Sequence, residues 1–214
     1  IALCGKATNN LPGGFGTLEG GDGTPFYGGS DDADNSGTLK YVRIEYAGYA
    51  PLTDKELNAL TMASVGSGTV ISHVQCSYGK DDAFEWFGGT VNCDHLIAFK
   101  TQDDMFDSDN GFRGIVQYAL GYSSPNIADI SGSNGFESDN DASGSTNTPI
   151  TAPSFYNVTL VGPKSDSTKT IDGNFKRAAH LRRNTKIKIY NTVFSGFPTG
   201  VLVDGALAEA NATA

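Results

Sequence analysis

Acidic side chains recur at a regular spacing in the middle of the chain. The segment Asp81–Glu85 (DDAFE) recurs as Asp103–Asp107 (DDMFD) and, in shorter form, as Gly135–Glu137 (GFE). If the phenylalanine of each segment points inward, the acidic residue after it points outward, because neighbouring side chains of a strand alternate between its faces. Since adjacent strands lie about 4.8 Å apart, the repeat predicts a column of carboxylates on an outer wall. Its members are Glu85, Asp107 and Glu137.

This column is the predicted ligand surface, with Asp82 and Asp104 beside it. Stacked carboxylates raise one another's pKa unless a cation or a proton lies between them. They could line a groove for a sugar polymer, and two of them about 5 Å apart could act as a glycosidase pair. Calcium-assisted elimination from a uronate is a second enzymatic interpretation, and a solvated outer face with ordinary turn aspartates is the alternative without function.

Two loops share the pattern D-x-D-x-S-G, at 32–37 and 139–144. Alternating oxygen ligands before a glycine resemble the first half of an EF-hand loop. The twelfth position, which is Glu in an EF-hand, is Arg43 in one loop and Ile150 in the other. We predict possible calcium ligands here, with metal-free Asx turns as the alternative. The ligands would be Asp32, Asp34, Ser36, Asp139, Asp141 and Ser143.

Basic residues concentrate between positions 176 and 188, which hold six of the 15 lysines and arginines. With His180, the side chains of Arg182 and Arg183 could bind an acidic polysaccharide. In an enzyme, one of these arginines would assist the carboxylates. The alternative is that they form salt bridges to acidic neighbours on the adjacent coil.

The elements that position these residues are short strands with alternating apolar side chains. Aligning the strands predicts one inward column, and the smallest steps along it, about 20 residues each, fit one coil of a right-handed parallel β-helix. A β-sandwich does not repeat sequence at this interval. The column consists of Val42, Val74, Leu96, Val116, Val158 and Thr192.

We therefore predict an all-β fold, with residues 1–214 as a single β-helix domain and as a piece of a longer chain. Insertions are expected near 50–60 and 130–149, and a capping box at Thr53–Glu56 predicts a short helix in the first.

Three further residue types give structural predictions. His73 and His95 are one such step apart and should stack outward on adjacent coils. Trp86 should face the core. Cys76 and Cys93 occupy apolar columns, as buried thiols do, while a disulfide between them is the alternative.

The net charge of −9 argues against a nucleic-acid partner, because an acidic surface repels phosphates. No apolar run approaches the roughly 20 residues of a membrane-spanning helix.

Four segments carry a family resemblance: Asn35–Gly48, Asp81–Asn92, Ser133–Asp141 and His180–Asn184. They resemble a family of secreted or outer-surface proteins of Bacteroidota with a pectin-lyase-like β-helix. The resemblance implies this fold and an extracytoplasmic location, and it carries no catalytic residues across. The favoured function is a non-catalytic module that binds carbohydrate or a surface protein. The alternatives are a polysaccharide lyase or glycoside hydrolase, and a structural spacer stabilised by calcium.

Overall fold

Short strands with alternating apolar residues are the main regular elements of the structure. The computed structural model describes residues 1–18, 26–49 and 57–212. In chain order the strands are β1 (Ala2–Cys4), β2 (Phe15–Thr17), β3 (Phe26–Gly28), β4 (Thr38–Glu45), β5 (Leu60–Ala63), β6 (Val70–Ser77), β7 (Phe84–Phe87), β8 (Asn92–Phe99), β9 (Phe106–Asp109), β10 (Ile115–Tyr122), β11 (Phe136–Ser138), β12 (Ser154–Val161), β13 (Arg177–Arg182), β14 (Lys188–Tyr190), β15 (Val193–Ser195) and β16 (Thr199–Asp204). A 3₁₀ turn lies at Pro12–Gly14, and a helix, α1, at Ala206–Ala212.

The strands belong to two long parallel sheets. The first has the order β1-β5-β7-β9-β11-β13-β16, and the second β4-β6-β8-β10-β12-β14, with β15 also beside β12. Strands from the two sheets alternate along the chain, so a coil contributes one strand to each sheet, except that the last coil contributes both β14 and β15 to the second. This is the predicted right-handed parallel β-helix. The small antiparallel pair β2–β3 was not predicted.

Each eight-residue strand of the second sheet bends at its fourth residue. At these bends Tyr41, His73, His95, Tyr118 and Asn157 have φ between 53° and 57°, a left-handed conformation that is uncommon outside glycine. The bends stack into a corner that divides the second sheet into two faces. A coil therefore has three faces, and corner side chains on successive coils lie directly above one another.

Aromatic rings fill the core behind the first sheet. The rings of Phe84 and Phe106 have centroids 5.6 Å apart, and those of Phe106 and Phe136 are 5.7 Å apart. Trp86 is fully buried beside them. The predicted inward positions of these four residues are confirmed.

Two cysteines lie in the core as free thiols. Cys76 and Cys93 are buried, and Cys4 is half-buried and also free. The buried-thiol prediction is confirmed, and the alternative of a disulfide between Cys76 and Cys93 is wrong.

The predicted register was wrong at one coil. Leu96 pairs with Ala119, and Val116 pairs with Cys93, so Val116 lies three positions from the column assigned to it. The strand β10 is eight residues long, and the prediction used only its first half, before the bend at Tyr118.

The predicted insertions also need correction. Leu60 begins β5, so it belongs to a coil and not to the insertion near 50–60. The predicted helix at Thr53–Glu56 lies outside the described residues. The segment 130–149 contains the strand β11, which separates it into two loops. One loop precedes Phe136, and the other connects Ser138 to β12.

Candidate functional site

The carboxylate column forms on the outer side of the first sheet. Glu85 pairs with Asp107 in the β7–β9 ladder, and Asp107 pairs with Glu137 in the β9–β11 ladder. His180 follows Glu137 on β13. Because parallel strands in register place equivalent side chains one above another, the predicted column is confirmed.

A second column of polar residues lies in the turns that precede these strands, and we call it the turn column. Its members are Asp82, Asp104 and Asn134. The Asp82 carboxylate accepts a hydrogen bond from the backbone N–H of Asp104 at 2.9 Å, and the Asp104 carboxylate accepts one from the N–H of Asn134 at 2.5 Å. The sequence prediction missed Asn134, although it lies two residues before Phe136, as Asp104 does before Phe106.

The carboxylate column and the two aspartates of the turn column line a cleft of about 230 Å³, which we call the acidic cleft. Asp82 and Glu85 are 7% exposed and Asp104 is 5% exposed. The alternative of a solvated outer face is therefore wrong for these three carboxylates. The remaining lining residues are Asn58, Asp81, Asp103, Ser131, Gly132 and Arg182.

Burial and mutual repulsion dominate the electrostatics of the acidic cleft. Burial raises the pKa values of Asp82, Asp104 and Asp107 well above the usual range, and neighbouring carboxylates raise them further. The pKa of Asp103 rises to about 7, again mainly through burial, although a hydrogen bond from Ser131 opposes the shift. Removing water from a carboxylate favours its neutral form, and a neighbouring negative charge does the same.

One carboxylate oxygen in the acidic cleft is buried without a hydrogen-bond partner among the described residues. It is Oδ1 of Asp107. Oxygen atoms of Asp104, Asp107 and Glu137 lie within 4.8 Å of one another, and the same holds for Asp82, Glu85 and Asp107. Clustered carboxylate oxygens are the ligands that hard divalent cations prefer. The donor set of the cleft therefore fits calcium.

Basic residues occupy the end of the site nearer the C-terminus. Arg182 donates hydrogen bonds to Glu137 and, at 2.9 Å, to Asp139. Arg183 contacts Asp139 at 2.8 Å. His180 lies 3.5 Å from Glu137 and 3.2 Å from Asp204. The predicted alternative of salt bridges to adjacent coils is confirmed for both arginines, and the prediction that they bind an acidic polysaccharide stays a prediction.

The whole chain, residues 1–214, matches one protein-family model, described as a pectate-lyase like beta helix domain. The protein belongs to this family. No curated protein and no solved structure is significantly similar to the chain. Within the described residues, the one α-helix is far too short to cross a membrane.

In this pectate-lyase-like β-helix, the aspartates of both D-x-D-x-S-G loops have hydrogen-bond or ion-pair partners within the protein. Asp32 accepts hydrogen bonds from Thr8 and pairs with Arg113 at 3.0 Å. Asp34 accepts a hydrogen bond from Ser36 at 2.9 Å. These contacts fit a metal-free turn, and calcium in this first loop stays a prediction.

The second loop has a similar arrangement. Asp141 accepts hydrogen bonds from Ser143 and Ser145, and Asp139 is occupied by the two arginines. Partial burial acts to raise the pKa of Asp141, but the hydrogen bonds from these serines outweigh it and lower the pKa. Calcium in this second loop also stays a prediction, and the acidic cleft is the stronger candidate for a cation.

Proposed function

We propose that this β-helix is a non-catalytic carbohydrate-binding module whose acidic cleft holds a divalent cation, with calcium as the ion that suits its ligands. The observation that carries the proposal is the set of converging oxygens on Asp104, Asp107 and Glu137, together with the unpartnered buried Oδ1 of Asp107. We place the module outside the cytoplasm, on the cell surface or secreted, where sugar polymers are found.

The need for a cation follows from charge. Two buried carboxylates in contact repel strongly unless a proton or a cation neutralises them. Bound calcium supplies two positive charges, and Asp104, Asp107 and Glu137 would hold it. Calcium takes six to eight oxygen ligands, so three carboxylates leave room for oxygens of another molecule.

The choice of a carbohydrate as the ligand follows from the oxygen ligands that calcium still needs. Sugar hydroxyls and uronate carboxylates supply oxygen ligands, and a cation would offset the repulsion between an acidic sugar and a protein of net charge −9. The family description names pectate lyase, an enzyme named for an acidic polysaccharide. This similarity supports an acidic polymer as the first ligand to test.

A glycan array probed with and without calcium tests the proposal. We expect binding to acidic polysaccharide that requires calcium, is lost in Asp107→Asn and releases no product. The matched control is Asp166→Asn, which removes the same charge from a fully exposed loop and should bind normally. Calcium-independent binding, or binding unchanged in Asp107→Asn, would contradict the proposal.

Glycoside hydrolysis is the second candidate, and the raised pKa of Asp107 favours it. A carboxylic acid that keeps its proton at neutral pH can act as a general acid, with a carboxylate on the adjacent coil as its partner. Release of reducing ends from a bound polymer, lost in Asp107→Asn, would support hydrolysis over simple binding.

Elimination with Arg182 as the base is less well supported. Burial acts to lower the pKa of Arg182, but hydrogen bonds to Asp139 and the charges of Glu137 and Asp139 outweigh it and raise the pKa beyond its ordinary value. An arginine that holds its proton this tightly is a poor base.

A structural spacer stabilised by calcium is the remaining alternative. It is the better account if neither binding nor product is detected but a chelator lowers the melting temperature.

A further inference from the structure

A second cluster of metal-ligating side chains lies far from the acidic cleft in the fold, at the bend of the second sheet. His73 and His95 occupy the same corner position on adjacent coils, and their rings stack with centroids 4.2 Å apart and planes 11° apart. Asp94 precedes His95 in β8. We call His73, Asp94 and His95 the histidine corner.

The polar atoms of the histidine corner converge on the Asp94 carboxylate. Its Oδ1 atom lies 2.6 Å from Nδ1 of His95 and 3.8 Å from Nδ1 of His73. The Ser72 hydroxyl donates to the same oxygen at 2.6 Å and lies 2.8 Å from Nδ1 of His73. One ligand atom from each of the three corner residues lies within 4.8 Å of the others.

The histidine corner is accessible to solvent, unlike the carboxylates of the acidic cleft. The side chains of His73, Asp94 and His95 are 38%, 46% and 48% exposed. Both imidazoles also line an open groove of about 490 Å³ that runs along the bend. An ion can therefore reach these ligands without any rearrangement of the core.

We propose that the histidine corner binds a divalent transition-metal cation, with Zn²⁺ as the representative ion. Two imidazoles and one carboxylate form a mixed nitrogen and oxygen set, which suits zinc and its neighbours in the first transition series. Calcium and magnesium prefer oxygen alone. The ligand chemistry thus separates the histidine corner from the acidic cleft, and this proposal does not rest on the function proposed above.

The β-helix itself offers a conservative replacement for these histidines. At the same corner on later coils, Asn191 donates a hydrogen bond to Asn157, and both residues have positive φ. Asparagine tolerates this backbone conformation. The double variant His73→Asn/His95→Asn should therefore keep the fold, as unchanged circular dichroism and melting temperature would show.

The test is a titration of the full chain with zinc chloride, followed by NMR of the imidazole resonances. We expect the resonances of both His73 and His95 to shift and to saturate at one zinc per chain, and calcium chloride to leave them unchanged. Asp94→Asn removes a proposed ligand and should weaken zinc binding by more than about 10-fold, because losing even an outer-shell partner costs roughly 10- to 100-fold. Calorimetry of the double asparagine variant should show loss of this site.

Two results would overturn the proposal. The first is that the imidazole resonances of His73 and His95 do not shift when zinc is added, as expected if the ion binds at the Cys4 thiol or in the acidic cleft instead. The second is zinc affinity that is unchanged in the folded double variant.

Discussion

Asp107 in β9 and Asp139, which directly follows β11, lie on neighbouring coils, yet their surroundings differ. Asp139 is bound by Arg182 and Arg183. Asp107 has a buried oxygen without a hydrogen-bond partner, and Glu137 and Asp109 are among its neighbours. Burial raises the pKa of both aspartates, and Arg182 opposes the rise at both, through hydrogen bonds at Asp139 but only through its charge at Asp107.

The difference shows two ways of stabilising stacked carboxylates in a β-helix. A parallel stack places like residues on successive coils about 4.8 Å apart, so a repeated acidic motif always brings negative charges together. Near the C-terminal end, Arg182 of β13 and Arg183, which follows it, neutralise Asp139. Around Asp107 the proposed cation would take this role, and protons would take it in the absence of the cation.

Removing Arg182 should have the largest effect on stability, since it removes the positive charge that pairs with Glu137 and Asp139. Arg182→Met leaves Glu137 and the buried Asp139 without their main partner, and breaking a buried ion pair costs about 3–5 kcal/mol. Urea unfolding measures the loss. Lys186→Gln, which removes an exposed base from the same stretch, should change the free energy of unfolding little; an equal loss in both variants would contradict a specific role for Arg182.

Asp107→Asn should have opposite effects with and without calcium. In chelator it removes the free-energy cost of keeping the buried Asp107 carboxyl group protonated at neutral pH, and we expect the free energy of unfolding to rise by roughly 1–3 kcal/mol. Saturating calcium should raise the free energy of unfolding of the wild type and leave that of the variant unchanged. Thermal melts in both buffers measure the difference. Equal calcium stabilisation of the two proteins would show that the ion binds elsewhere.

The pH dependence in chelator should also be unusual. Burial raises the pKa values of Asp103 and Asp109 to about 7 in the folded state, well above the ordinary value near 4. A group with a raised folded-state pKa stabilises the protein below its unfolded pKa and loses that contribution as pH rises through the folded value. The metal-free protein should therefore become less stable between about pH 4 and pH 8.

Calcium should reverse this loss at neutral pH. Urea unfolding at pH 5 and pH 8, with chelator or with calcium, tests both parts of the prediction. Stability that increases with pH in chelator would contradict the charge balance described for the acidic cleft.

The smallest effect is expected in the first D-x-D-x-S-G loop. Asp32→Asn weakens a solvent-exposed pair with Arg113, and exposed pairs contribute about 0–1 kcal/mol. We expect a change within this range and unaltered calcium stabilisation. If the variant abolishes the calcium response, the cation belongs in this loop and not beside Asp107.

Much of the first sheet was predictable from sequence, because the phenylalanine and acidic positions repeat together. The inward stack of Phe84, Phe106 and Phe136 and the outward carboxylate column both followed from the repeated motif and strand alternation. The stacking of His73 on His95 followed in the same way.

The remaining features depend on backbone bends and on contacts between coils, which the alternation of side chains along a strand does not predict. The register error at Val116 arose at a bend where Tyr118 adopts positive φ, which restarts the alternation of side chains within one strand. The burial of Glu85 involves Asn58, which lies outside the repeated motif and donates a hydrogen bond to the Glu85 carboxylate. The pairing of Arg182 with Asp139 depends on the register of β13. This strand lacks the repeated acidic motif, so its register could not be predicted from the sequence.

A calcium site in the acidic cleft requires that Asp107 contacts the bound cation. A crystal of the protein grown with manganese in place of calcium tests it, because manganese also prefers oxygen ligands and gives an anomalous signal. We predict an anomalous peak within bonding distance of Asp107 Oδ1 that disappears in Asp107→Asn. A cleft without a peak at saturating metal, or peaks confined to the two D-x-D-x-S-G loops, would contradict the account.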